Sequence, residues 1–323
     1  MRLMPVVIAT LLCAAQSMAP AAHAAPQGKI AYMWARESRF QEVWTMNADG
    51  SDRTFVVEGS VPAWAPDGRR IAFVAKGGGI HTVRPDGSDL RLLLDLPGAE
   101  ARMDWSPDGT RIAFAYYANP DRPWFDSDIY VVNADGSDPR NLTNQPDGQH
   151  GEPSWSPDSE RIAFSGRTDG PVFTIHVMDA DGQNIEAVGP NEGQSFTPEW
   201  SPNGGRIAYN HRLPDETGAD IHLLRLSDRS ITQLTEVEGV DGTTQELAWS
   251  PDGAYIAYGY RHQPPDQPGW PPDTYAVRVA TGTTFTLTND GQSEEPSWVG
   301  ASPFSVSPDG KTTTTWGRIK APE

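Results

Sequence analysis

Six of the seven histidines fall into two sets of three, and imidazole is a common ligand for zinc and other transition metals. His81, His176 and His222 share one repeated slot that Trp44, Tyr130 and Tyr275 fill elsewhere. Repeat position explains that set without a metal. His150, His211 and His262 fall in stretches of variable sequence that read as loops, where a joint metal site is conceivable and solvated side chains are the plainer reading. No cofactor and no metal are expected. A Gly-x-Ser-x-Gly nucleophile elbow is absent, and so is His-Glu-x-x-His, so neither serine-hydrolase nor zinc-peptidase chemistry has local support. The Asp-Gly pairs look like half of a calcium loop, which needs oxygen ligands at the first, third and fifth positions before its glycine. Counting back from Gly182, the first of these is Val177; from Gly136 it is Val131. Neither can ligate, and the pairs read as hairpin turns.

The elements that must position any chemistry are announced by repetition. Trp64-Ala-Pro-Asp-Gly68 returns as Trp105-Ser-Pro-Asp-Gly109, Trp155-Ser-Pro-Asp-Ser159, Trp200-Ser-Pro-Asn-Gly204 and Trp249-Ser-Pro-Asp-Gly253. Trp298 keeps the tryptophan but loses the turn, and Ser307-Pro-Asp-Gly310 follows at a shifted distance. The tryptophans are spaced by 41, 50, 45, 49 and 49 positions, the length of a four-stranded unit with variable loops. In each unit, proline presets φ at the second turn position and glycine accepts positive φ at the fourth. A second strand Ile-Ala-Phe/Tyr comes next, as in Ile112-Ala-Phe114 and Ile207-Ala-Tyr209. A third, β-branched strand such as Ile129-Tyr-Val-Val132 ends at Asp-Gly turns, for example Asp135-Gly136, and a short fourth strand such as Asn141-Leu-Thr143 closes the unit.

The first unit, from Lys29-Ile-Ala-Tyr32, lacks its tryptophan strand, and the last tryptophan strand, Pro296-Ser-Trp298, lacks its followers. One unit is therefore split between the chain ends. The expectation is an all-β fold: a single six-bladed β-propeller of four-stranded antiparallel blades, its ring closed by pairing of the N- and C-terminal segments. The pattern Trp-Ser-Pro-Asp-Gly, Ile-Ala-Phe, Ile-Tyr-Val, Asp-Gly, Leu-Thr resembles the WD40-like propeller repeat of the TolB family, over residues 28–310. It is also similar to repeats in the propeller domains of prolyl oligopeptidase relatives and tricorn-like proteases. TolB carries an α/β domain ahead of its propeller, whereas here the first repeat follows directly on the leader. The resemblance implies a propeller and leaves function open, because propellers host many activities.

Residues 1–24 read as a signal peptide: Arg2, the apolar stretch Val6 to Ala15 and the Ala22-His23-Ala24 motif place cleavage before Ala25, with the propeller over 25–323. Cys13, the only cysteine, would leave with the leader. No transmembrane segment is expected after cleavage, and the location is periplasmic or extracellular. The formal net charge of −18 repels phosphate backbones, so no nucleic acid partner is expected.

The candidate binding residues follow from the repeat. Loops between second and third strands and between fourth and first strands leave one face, and their varied sequences carry Tyr117, Trp124, Phe125, His150, Arg167, His211, Arg212, Arg261, His262 and Trp270. Aromatics on adaptable loops suit a binding surface. Lys76, Arg167, Arg212 and Arg261 fall three places after the Phe/Tyr of strand two, with Arg36 one place displaced; Glu152, Glu246 and Glu295 fall three places before the tryptophan. Both sets are expected near the mouth of the central channel, either as inter-blade ion pairs or as a charged funnel. The function read from this is a non-catalytic secreted or periplasmic binding module, a monomer engaging an envelope protein or peptide through the loop face and channel mouth. The alternative is a propeller enzyme acting on carbohydrate, a lyase or hydrolase, through the loop histidines and channel charges.

Overall fold

The computed structural model describes residues 27–36, 40–96, 102–117, 127–144, 148–167, 172–214, 218–236, 244–260 and 272–300. Every regular element among them is a β-strand, and no helix among them is long and apolar enough to cross a membrane. The unit of Trp200 shows the pattern: Gln194–Trp200, Arg206–Arg212, Asp220–Arg225 and Ile231–Gln233 pair in order, each antiparallel to the next. The unit of Trp249 repeats it with Thr244–Trp249, Tyr255–Tyr260, Asp273–Arg278 and Thr284–Thr286. The units of Trp105 and Trp155 are joined by a single parallel bridge between Gln149 and Ser127. Outer strands there shrink to the residue pairs Arg140–Asn141 and Glu186–Ala187.

Local chemistry explains the turns. In the Trp249 unit, Asp252 Oδ1 accepts bonds from Ser250 Oγ at 2.6 Å and from the Ala254 amide at 3.0 Å, while the Gly253 amide donates to the Ser250 carbonyl at 2.8 Å. Gly253 sits at φ 68°, where a Cβ is strained. Ser106–Asp108 and Ser156–Asp158 repeat the bond at 2.6 and 2.5 Å.

The Ile-Ala-Phe/Tyr strands are apolar without alternation because both their faces are covered. Ile71, Ala72, Phe73, Ile162, Ala163, Phe164, Ile207, Ala208 and Tyr209 are all fully buried. Burying one such large side chain is worth about 1.5–3 kcal/mol. The apolar clusters lie at the seams between units. Trp105 packs with Ala72, Val74 and Ile80 of the unit before it, Trp155 with Ala113, Ile129 and Val131, and Trp200 with Ala163 and Ile175. The same seam contact joins the chain ends to the body. Ile30, Tyr32 and Met46 pack with Ala248, Ala257 and Ala276, and Ala31 and Val43 pack with Trp64, Ile71 and Phe73.

Lys29–Arg36 pairs antiparallel with Ser293–Val299, with Ile30 opposite Trp298, and on its other side with Phe40–Asn47. Thr54–Trp64 then serves two units. Its first residues pair with Phe40–Asn47, and its last with Ile71–Ala75. Gly59 marks the handover, where a Cβ would stand 2.4 Å from the Phe73 ring and 2.6 Å from the Val74 carbonyl oxygen.

Candidate functional site

The inner strands, those ending in the repeat tryptophans, line one central cavity of about 130 Å³. Most of them bring their residues to the wall through a kink. The pairing of inner and second strands shifts register between Ser60 and Ala63, Gly151 and Ser154, Phe196 and Glu199, and Thr244 and Leu247. At the first three of these bulges the residue three places before the tryptophan is left-handed, Val61 at φ 52°, Glu152 at 57° and Thr197 at 49°, and Glu295 is too, at 56°, where Ser293–Val299 shifts register against Lys29–Arg36. For β-branched Val61 and Thr197 this conformation is an outlier, held only because the surroundings over-determine it.

Neighbouring units supply that hold. Glu152 Oε2 accepts a bond from the Thr197 amide at 2.6 Å and from Ser165 Oγ at 2.7 Å. Glu295 Oε2 accepts from the Val61 amide at 3.1 Å. A second ring of bonds lies two residues further along. The Trp155 amide donates to Asp104 Oδ2 at 2.7 Å, the Trp200 amide to Ser154 Oγ at 3.0 Å, and the Trp64 amide to Ser297 Oγ at 3.0 Å. In each case the residue before one tryptophan accepts from the next tryptophan's backbone.

The cavity is acidic. Asp104, Glu152, Glu199 and Glu246 are among its lining residues, and Arg102 is the single basic one among the described residues. Arg102 pairs with Glu246, three units away across the opening, and its Nη1 lies 4.0 Å from Glu152. Burial pushes Asp104 up to about 7 against the bonds it accepts from the Trp155 and Trp105 amides. Burial, then the charge of Asp104, raises Glu199 well above the usual carboxylate range, with a bond from Ser154 opposing. The two acids together hold a proton near neutral pH. Such a constriction attracts cationic groups and disfavours anions.

The other sequence candidates are dispersed. Glu152 and Glu246 line the cavity, and Glu295 braces its wall through Val61. Lys76 instead reaches Glu58 at 3.8 Å, with both side chains exposed. Arg167 lies over the Phe173 ring at 5.5 Å, and neither it, Lys76 nor Arg212 lines the cavity. Tyr117, Arg167 and Arg212 are the last residues of their strands, at the ends opposite the Pro-Asp and Pro-Asn turns. His150 and His211 are not loop residues. They lie in Gln149–Trp155 and Arg206–Arg212, 0% and 6% exposed, because the strands run farther than the variable sequence suggested. His150 packs on Phe164 with Asp128 at 3.5 Å, and His211 Nδ1 meets Ser195 Oγ at 3.0 Å. Trp124, Phe125, Arg261, His262, Trp270 and the Arg36 side chain lie outside the described residues. Arg102, Asp104 and Glu199 were missed. The signal was available, since Arg102 shares the repeat position of Glu152 and Glu246.

An all-β chain of repeated antiparallel units around one acidic channel is a β-propeller. This chain belongs to the TolB beta propeller domain family, which matches residues 21–299. Among solved structures it is similar to TolB from Acinetobacter baumannii, with a TM-score of 0.70 at 19% identity, covering 84% of this chain and 66% of that one. A protein assigned as TolB from Agrobacterium tumefaciens gives 0.61 at 19%, covering 84% and 92%. An oligogalacturonate lyase in complex with manganese gives 0.53 at 16%, covering 78% and 74%. The chain thus spans just under two thirds of the Acinetobacter protein. No curated protein matches it.

Proposed function

We propose that the protein is a non-catalytic binding module, a six-bladed propeller closed by its own chain ends. In this reading the acidic channel mouth receives a cationic segment of an envelope protein or peptide. The observation that carries it is the channel composition: four acids against Arg102, which already bridges the opening to Glu246. A lysine or free amino terminus would compete with Arg102 for Glu246 and Glu152. The loop face, with Tyr117, Arg167 and Arg212 at its strand ends, would add contacts around the mouth. Residues 1–24 act as a signal peptide in this proposal, so the encounter takes place in the periplasm or outside the cell.

Fluorescence anisotropy with a labelled, unstructured lysine-rich peptide tests it. Charge-assisted bonds are worth about 1.5–3 kcal/mol, so Glu246→Gln should weaken binding roughly tenfold or more, and added salt should weaken it further. Equal binding by wild type, Glu246→Gln and Asp104→Asn would refute the channel reading. The carbohydrate-enzyme alternative rests on His150, His211 and His262, of which His150 and His211 are buried strand residues in neighbouring units.

A further inference from the structure

A second groove opens on the opposite, tight-turn face, between the Trp200 and Trp249 units, with a volume of about 690 Å³. Its floor is apolar, with Leu223, Leu234 and Val279, and its walls carry Arg206, Arg225 and Arg278. Three arginines in one groove stand out in a chain of net charge −18.

The register sharpens this. Arg206 lies directly opposite Arg225 on the neighbouring strand. Like charges in that arrangement oppose folding. At the same register Arg161 faces Asp179, Arg111 faces Asn133, and Tyr255 faces Arg278. Arg111 and Arg161 also lie over the rings of Trp155 and Trp200, at 4.4 and 4.8 Å. Among the described residues, Arg206 makes neither an ion pair nor a ring contact. Among the described residues the ion-pair partner of Arg225 is a loose one, Asp228 at 3.7 Å, with both side chains more than half exposed.

The Trp64 unit shows how the fold resolves the same crowding internally. There Arg70 and Arg84 converge on the carboxylate of Asp89, at 2.7 and 3.5 Å, and Arg91 joins at 2.8 Å. Hydrogen bonds from Arg91 and then Arg70 hold Asp89 down at about 2. Thr82 pairs with Arg91 as Leu223 pairs with Thr232, so the place of Asp89, two residues earlier, falls to Ser230 in the Trp200 unit. Ser230 lines the groove and carries no charge. The acid in the groove, Asp252, is occupied with its own turn.

We propose that this groove binds an acidic peptide segment, whose carboxylate takes between Arg206 and Arg225 the place that Asp89 holds between Arg70 and Arg84. Arg278 is positioned to meet a second carboxylate. Its guanidinium is fixed over the Tyr255 ring at 5.4 Å and donates to Tyr255 Oη at 2.9 Å. Leu223, Leu234 and Val279 would take the apolar side chain between the acids. This surface lies away from the channel, and the inference does not rest on the channel reading.

The test uses a short fluorescein-labelled peptide alternating Glu and Leu, and its Gln–Leu counterpart, titrated with the full protein. The Glu peptide should bind and the Gln peptide should not. Arg206→Gln and Arg225→Gln should each weaken binding at least tenfold. Ser230→Asp, which returns a carboxylate to the groove, should do the same while remaining folded by circular dichroism. Equal binding by wild type and both arginine variants would overturn the proposal, as would equal binding of the two peptides. Displacement by millimolar inorganic phosphate with no binding of the Glu peptide would mark a small-anion site and overturn it too.

Discussion

Replacing Ser297 with alanine should destabilise the whole domain rather than loosen one end. Ser297 Oγ accepts the Trp64 amide at 3.0 Å, joining residues 233 positions apart. Ser154 makes the same bond to Trp200 at 3.0 Å, at a seam inside the chain. If the chain ends close the ring as proposed, the two seams are equivalent and both changes should act alike. A net hydrogen bond is worth about 1 kcal/mol, and stranding a covered amide adds a cost of about 1–3 kcal/mol. An expected loss of about 1–2 kcal/mol corresponds to a fall in Tm of roughly 2–6 °C, at the few degrees per kcal/mol typical of a large domain. Ser154→Ala should cost slightly more, because Ser154 also bonds Glu199. Calorimetry, with thermal unfolding followed at two wavelengths, reads both. A Tm unchanged in Ser297→Ala but lowered in Ser154→Ala would show that the terminal strands open on their own, and the closure argument would fail. Truncation before Ser293 is the stronger arm, because it leaves Lys29–Arg36 with an open edge and should prevent cooperative unfolding altogether.

The remaining expectations are briefer. Asp104 is raised to about 7 in the folded protein against about 3.9 unfolded, so its contribution is present at acid pH and is lost as pH rises through neutrality. Asp104→Asn, which can still accept the Trp155 amide, should therefore match wild type near pH 4 in urea melts and exceed it near pH 8; the reverse order would contradict the assignment. His222 is pushed down to about 4 by burial and then by the charge of His211. The unfolded chain takes up its proton first as pH falls, so stability should drop from about pH 6.5 to about pH 4, and His222→Gln should flatten that limb. Alanine at Trp124, Phe125 or Trp270 should weaken capture of a partner by about 2 kcal/mol, roughly thirtyfold, with folding intact if the loop face is the working surface. Intact-mass measurement on exported protein should give a chain beginning at Ala25, and a mass retaining residues 1–24 would refute the proposed cleavage.

The tryptophan seams and the split pairing of Lys29–Arg36 with Ser293–Val299 were legible because the residues that build them recur at fixed places. Five copies of one turn motif leave little freedom in where the strands fall. Site residues were legible only in part. Glu152 and Glu246 are legible by their distance from the tryptophan, whereas Arg102 carries the opposite sign at the same place and so breaks the glutamate pattern. His150 and His211 were misplaced because strand length is set by pairing with the neighbouring strand, not by the local sequence. Gly166 and Asp220, the partners opposite them, extend both strands past the motif. The Arg206–Arg225 pairing was invisible for a related reason: register decides which side chains face one another, and register is a property of two strands.

The position before each tryptophan separates what the fold requires from what it merely permits. Ser154 and Ser297 accept the next tryptophan amide with a neutral hydroxyl. Asp104 performs the same task with a carboxylate, and burial raises its pKa to about 7. Desolvating a carboxylate is far more costly than desolvating a hydroxyl, so the fold alone gives no reason to prefer aspartate there. Glu199 stands at the equivalent place in the Trp200 unit, and each acid makes ionisation of the other harder. Two acids held where a serine would serve are a cost that folding does not recover. That excess supports an origin in what the channel binds, since a cationic group entering the constriction would stabilise both carboxylates in their charged form. The same logic sets Arg102 apart, because its pairing with Glu246 spans the opening rather than a seam between neighbours.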